Sequence, residues 1–419
     1  MELSEHLFRR ESGRLIAALT RIFGVHNLGL AEDVVQDAFC RALEVWKVRG
    51  VPENPSGWLM AVARNRALDI IRRERTARMF APEVARALES EWTLRPTVDE
   101  AFATSTIRDE QLRMMFSCCH PRLPRETQVA LVLNILCGFG ASEAANAFLT
   151  GRAAMEKRLA RGKKALANAS RLFDLQDAEF GSRLSAVRHA LYLLFNEGYH
   201  SASGGAAVRS ELCLEALRLT RLLLMAPLTA GPETSALAAL MCLHAARLPT
   251  RVDAAGDLSP LLAQDRSRWD RSLIDEGRRW LEHAATGPDV SMYHLEAAIA
   301  AVHAEAPSVE QTDWRAIVRL YDLMMAISPS PVVALNRAIA IGQCEGPESG
   351  LQVLRSIADA GRLRTYPFYA AALGEFELRR GDARAAREHF VAAAALARSP
   401  SERRFLDRRA QDCGSQSIA

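Results

Sequence analysis

Apolar positions recur every three to four residues along almost the whole chain, and alternation of the strand type is scarce. The pattern predicts an all-α protein. Residues 5–78 read as a first helical unit and 79–105 as a polar linker carrying Pro82, Pro96 and several acids. Residues 106–170 read as a second helical unit. From about 180 to 419 runs a long helical array, broken by turn clusters at 201–205, 231–232, 249–256, 287–288, 328–331 and 346–347.

The stretch 126–166, ETQVALVLNILCGFGASEAANAFLTGRAAMEKRLARGKKAL, reads as two helices joined by a short turn. Ser142 is the expected N-cap of the first, which ends near Phe148 to Thr150; Gly151 opens the second. In the second, Met155, Leu159, Gly162 and Leu166 fall on one buried stripe. The opposite face carries Ala153, Lys157, Ala160, Arg161 and Lys164. Small residues beside cations give a helix room to enter a major groove and charge to meet phosphate. A solvated basic helix is the plainer alternative.

Two earlier helices carry different surfaces. In AEDVVQDAFCRALEVW, residues 31–46, Val35, Phe39, Ala42 and Trp46 form the apolar stripe, while Asp33, Asp37 and Glu44 share another face. An acidic ridge repels phosphate and suits a basic protein partner; a solvated helix face is the plainer alternative. In WLMAVARNRALDIIRRER, residues 58–75, Leu59, Ala63 and Ile70 point one way, and Trp58, Asn65, Asp69 and Arg72 another. An aromatic beside Asn and Arg offers a stacking surface for unstacked bases. Arg64, Arg66, Arg73 and Arg75 are placed to meet phosphates. The loop before this helix, residues 51–56, is stiffened by two prolines. The alternative makes Trp58 a core residue and the arginines solvated.

The tail shows a repeat. In residues 367–400, Leu373, Gly374, Gly381, Ala386, Phe390 and Ala393 stand where a tetratricopeptide repeat puts its packing residues. A looser copy uses Leu335, Asn336, Gly350, Leu354 and Ile357. An ordinary helical hairpin is the competing reading.

Composition narrows the classes. Across 419 residues, 49% are hydrophobic, ample for packed cores. No apolar run approaches the roughly 20 residues of a membrane span, and MELSEHLFRRE lacks an apolar signal core, so a cytoplasmic protein without membrane contact is expected. The eight cysteines show no CxxC spacing and read as reduced thiols; Cys118, Cys119 and His120 lack the spacing of a zinc site. The net charge of +3 hides an asymmetry: residues 1–80 carry +3, 81–110 carry −4, 111–172 carry +7 and the remainder −3. Nucleic-acid contact is therefore expected of the first 170 residues only.

Taken together and in order, these segments resemble the extracytoplasmic-function sigma factors of bacterial RNA polymerase. AEDVVQDAF resembles that family's polymerase-binding helix, NPSGWLMAVARNRALDIIRRER its −10 element helix, and 126–166 its −35 element helix-turn-helix. IRDEQLRMMFSCCHPRLP, LYLLFNEGYHSASGG, QDRSRWDRSLIDEG and PSPVVALNRAIAIG resemble a subgroup with a long tetratricopeptide-like C-terminal extension. The resemblance implies two small helical sigma domains, the second a helix-turn-helix, followed by a large α-helical array. It implies that Asp33, Gln36 and Asp37 contact core RNA polymerase. It assigns Asn65, Asp69, Arg72 and Arg73 to the −10 element of promoter DNA, beside the stacking surface that the residues themselves suggest at Trp58. Glu53, Asn54 and Ser56 would lie in a loop that captures a flipped base. Arg152, Ala153, Glu156 and Lys157 would face −35 bases, and Arg158, Arg161 and Lys164 the DNA backbone. The chain departs from the family at Ala144, usually isoleucine, and at Gly162, usually alanine. A mid-helix glycine costs roughly 1 kcal/mol relative to alanine, which implies a less rigid second helix.

The expected role is promoter-specific initiation, without bond chemistry, cofactor or metal. The extension is expected to regulate, by packing on the sigma part or by binding a protein or small ligand. Two other readings compete: a helix-turn-helix regulator with a repeat-built sensor, which has no use for the Asp33/Asp37 ridge, and an enzymatic C-terminal part. For the latter, Glu197 in FNEGY is a base without a visible nucleophile, and a glycine C-cap at Gly198 explains the motif. His189, His200, His244, His294 and His303 fall at no regular ligand spacing and read as structural.

Overall fold

The computed structural model describes residues 5–23, 27–77, 104–148, 150–167, 177–200, 208–253, 257–358, 360–397 and 400–416. The linker 79–105 falls almost wholly outside them. The described residues form α-helices, short 3-10 turns and one π segment, with a single isolated antiparallel bridge between Val252 and Leu258. The fold is all-α. The chain divides into two compact units. One comprises 1–194 with 225–229; the other comprises 195–224 with 230–419.

The first unit contains α1 (Glu5–Phe23), α2 (Leu28–Arg49), α3 (Pro55–Ala77), α4 (Thr104–Cys118), α5 (Arg125–Leu131) with the π segment Val132–Leu136, α6 (Ala141–Ala147) and α7 (Arg152–Ala167). Helix α2 buries Ala31, Val34, Val35, Ala38, Phe39, Ala42 and Trp46, a 3.6-residue stripe that faces α1 and α3. Gly50, at φ +81, ends it in a conformation open to glycine without strain. Helix α3 begins at Pro55, where a missing N–H is harmless. The Asn54 side chain accepts from the Gly57 N–H at 2.9 Å and caps that end. Helix α4, the π segment and α1 share a core in which Met114, Met115, Phe116, Leu133 and Leu136 are buried. Gly13 is obligatory there, because a Cβ would stand 2.2 Å from the Leu136 carbonyl oxygen.

Helix α7 buries Met155, Leu159, Gly162 and Leu166, the stripe its periodicity predicts. The reason for Gly162 is steric: a Cβ would lie 2.9 Å from Thr127 Cγ2 and 3.0 Å from Leu131 Cδ1. The glycine lets α7 approach α5 closely, and the helix runs unbroken from Arg152 to Ala167. Ser142 is not the N-cap. Helix α6 starts one residue earlier, and Glu143 reaches back to accept from the Gly140 N–H at 2.9 Å. The acid thus makes the N3-to-N-cap arm of a capping box, with Gly140 rather than a serine at the cap.

Helix α8 (Asp177–Tyr199) contains the division between units, at Leu194/Phe195. Gly198 lies inside it and caps nothing; a Cβ there would meet Arg209 O and Cys213 N at 2.8 Å. The second unit continues with α9 (Ser210–Met225), α10 (Pro232–Ala245), α11 (Arg271–Ala284), α12 (Met292–Glu305), α13 (Trp314–Ile327), α14 (Pro331–Glu345), α15 (Pro347–Arg355), α16 (Pro367–Arg379), α17 (Ala383–Ala395) and α18 (Pro400–Gln416). Helix α10 is buried on all sides from Thr234 to Leu243 because PETSALAALMCLHA carries no polar face, and it packs against α11 and α12. Side-chain caps at Asp270, Asp313, Ser330 and Asp382 each accept from the N–H three residues on and start α11, α13, α14 and α17. In the α16–α17 hairpin, Gly381 turns the chain at φ +89. Gly374 brings the Phe390 ring within 3.2 Å of where a Cβ would be. Leu335, Leu354 and Phe376 build the preceding core, into which Gly342 and Gly350 admit the Phe376 ring.

Candidate functional site

Helix α2 turns its apolar stripe inward and leaves Asp33, Gln36 and Asp37 exposed side by side on the solvent face. Asp37 receives the Arg66 Nε of α3 at 3.0 Å, an exposed pair of small energetic weight. Glu32, next on the same helix, is drawn inward to Lys163 Nζ of α7 at 2.6 Å. Burial raises the Glu32 carboxyl above its ordinary range, and the lysine opposes that rise. No periodicity could have shown this link, since its partners stand 131 residues apart.

On α3, Asn65 and Asp69 are exposed, and the Asn65 carbonyl accepts from Arg64 Nη2 at 3.3 Å. Trp58 is half-buried, its ring centroid 5.3 Å from that of buried Trp46 at an interplanar angle of 60°. One face of the indole is thus fixed by packing and part remains open. The side chains of Arg72 and Arg73 lie outside the described residues. Glu53 and Asn54 are exposed at the loop tip. Ser56 points the other way: its hydroxyl donates to Glu11 Oε2 at 2.8 Å, and Arg14 holds the same carboxylate at 3.2 Å. Ser56 therefore anchors the loop to α1. Buried Glu11 has no signature in the sequence, because an acid within an apolar stripe carries no signal of its distant partner.

On α7, Arg152, Ala153, Glu156, Lys157, Ala160, Arg161 and Lys164 are all exposed, on the face opposite the buried stripe. Arg152 and Glu156 pair at 2.8 Å along the helix. Arg158 is half-buried: it binds Glu126 of α5 at 2.8 Å and lies 5.4 Å over the Phe148 ring. Arg161 Nε donates to the Lys157 carbonyl at 3.3 Å. The surface is a strip of cations with small side chains between them, and it can grip a polyanion without distorting.

Cys118 and Cys119 are buried, and burial raises both thiols, Cys119 to about 12. Among the described residues no cysteine forms a disulfide. Among the described residues no group of three or more His, Cys, Asp or Glu is placed to hold a metal, and no helix is long and apolar enough to cross a membrane.

Comparison with known proteins divides the chain. Residues 7–77 match sigma-70 region 2, and residues 183–285 match a family of unknown function, DUF6596. An uncharacterized protein of Rhizobium meliloti (strain 1021) is 39% identical over 394 residues, covering 93% of this chain and 91% of that relative. No solved structure matches.

Proposed function

This chain belongs to one family with the Rhizobium meliloti protein and opens with a sigma-70 region 2, and from that premise we propose that it is a sigma factor of the extracytoplasmic-function type with a regulatory helical extension. The observation that carries the reading is the division of surfaces in the first unit. One helix, α2, offers acids to solvent, while α7 offers cations.

Asp33, Gln36 and Asp37 bind core RNA polymerase. Trp58, Asn65 and Asp69 meet the separated strand of the −10 element, with Arg72 and Arg73 extending the same helix toward its phosphates. Glu53 and Asn54 form the tip of the base-capturing loop, which Ser56 holds in place through Glu11. Lys157 and Ala153 face −35 bases, and Arg161 and Lys164 clamp the backbone. Arg152, Glu156 and Arg158 reach DNA by exchanging the ion pairs they now make; Arg152–Glu156 is exposed and costs little to open. The pair α6–α7 acts as the helix-turn-helix.

Melting a duplex costs roughly 1–2 kcal/mol per base-pair step in lost stacking. Stacking on Trp58, capture of a flipped base and polymerase contacts offset it. Specificity comes from the few side chains that reach base edges. The second unit, with its tetratricopeptide-like α16–α17 hairpin, regulates this activity in the cytoplasm. Its net negative charge in the sequence disfavours DNA. Run-off transcription with purified core polymerase over a promoter library tests the proposal. Added full-length protein is expected to select a defined −10/−35 pair; transcripts no different from core enzyme alone would refute it.

A further inference from the structure

The second unit holds a cluster of cations whose acceptors are neutral. Tyr199, at the end of α8, is flanked by two guanidinium groups, with the Arg251 carbon 4.8 Å and the Arg247 carbon 5.8 Å from its ring centroid. Arg247 donates to Gln264 Oε1 at 3.2 Å and approaches His244 Nδ1 at 3.5 Å. Arg251 donates to the Ser259 carbonyl at 3.3 Å and to His200 Nδ1 at 3.1 Å. Among the described residues neither its buried Nε nor the buried Tyr199 hydroxyl has a partner. The acids on the same loop bind elsewhere: Asp257 pairs with Arg404 at 2.7 Å and Arg408 at 2.8 Å, and Asp253 with Arg408 at 3.6 Å. Arg251 is thus more than nine-tenths buried, and among the described residues no carboxylate pairs with it. A buried charge so placed loses hydration with no counter-charge to compensate.

The missing charge has a space. A cavity of about 130 Å³ opens against Arg251 and His200. Because Arg251 can only donate, the neutral His200 accepts at Nδ1 and carries its proton on Nε2, which makes this cavity-lining residue a second donor. The remaining wall is largely apolar, with Leu258 from the Arg251 loop, Phe368 from α16 and Phe405 from α18. Glu402 also lines it and sets a limit on how much negative charge can enter. We propose that this cavity is a binding site for a small organic monoanion, whose carboxylate pairs with Arg251 and His200 and whose aromatic or aliphatic body lies against Phe368 and Phe405. It does not rest on the transcription reading, and its test needs no polymerase.

Calorimetry on the full-length protein with benzoate, hexanoate, benzamide and inorganic phosphate decides it. Benzoate or hexanoate is expected to bind one per chain at about 1 mM or tighter. Benzamide, with the same shape and no charge, and phosphate, with charge and no body, should each bind roughly tenfold more weakly. Arg251→Gln should weaken the carboxylates by about tenfold or more and leave benzamide unchanged. Phe368→Trp, at a half-exposed wall position, should weaken all organic probes by filling the space. Equal binding of benzoate and benzamide, phosphate as tight as either carboxylate, or no carboxylate binding overturns the assignment. Should Arg251→Gln not fold, the probe comparison on native protein and the Phe368→Trp variant still decide between these outcomes.

Discussion

Two glycines show how differently one residue type is constrained. At Gly13 the obstacle is a backbone oxygen, 2.2 Å from any Cβ, and it cannot move without shifting the π segment. Gly13→Ala should destabilise the first unit by about 2 kcal/mol or more. At Gly162 the neighbours are the ends of the Thr127 and Leu131 side chains. Gly162→Ala should therefore stay within about 1 kcal/mol of neutral, with helix propensity offsetting the repacking. Urea unfolding of both variants checks the contrast. Glu32 offers a pH test. Its folded pKa lies above the ordinary 4.5, so the folded state binds the proton more tightly, and its ionised form is penalised as pH rises through that range. Lys163 limits the penalty. Lys163→Met should lower stability at pH 7 and recover much of the loss as pH falls toward 4.5, whereas wild type changes less. Unfolding curves across that pH range read this directly.

Among elements, those with a strong period were legible. The buried stripes of α2 and α7 follow from apolar spacing, because burial on one side of a helix imposes that spacing on any sequence. What stayed hidden were contacts between elements: Glu32 with Lys163, Ser56 with Glu11, Arg158 with Glu126. A period carries no information about a partner outside its own helix. Ends were less legible than faces. Gly198 suggests a cap because glycine stops many helices; here it admits the α9 N-terminal turn instead. For α7 the expected outcome is electrostatic. Arg161→Ala and Lys164→Ala should each reduce the slope of log affinity for promoter DNA against log salt by about 0.9. Filter binding across a salt series measures it, and an unchanged slope would place these cations off the backbone.

At the scale of the whole chain, the sequence separates a basic front from a slightly acidic remainder, and the structure also divides into two units. The fold class was readable throughout. The cationic cluster in the second unit was not, since His200, His244, Arg247, Arg251, Arg266 and His303 are gathered from the end of α8, α10, the turns after α10, and α12. Burial beside these arginines lowers His303 to about 3 and His244 well below its usual value. A lowered histidine stays neutral while its unfolded counterpart takes up a proton. Stability should thus be lost as pH falls from about 6.5 toward 3, by up to about 1.4 kcal/mol per pH unit for each histidine. His303→Gln should flatten that decline in an acid-unfolding series.

The most direct measurement is binding of the full-length protein to purified core RNA polymerase, followed for wild type and for Asp33→Arg with Asp37→Arg. Both acids are exposed on α2, so the double variant is expected to fold. Saturable association of the wild type, weakened at least about a hundredfold by the charge reversal, is the predicted result. Failure of the wild type to associate, or equal association of the two, would contradict the account.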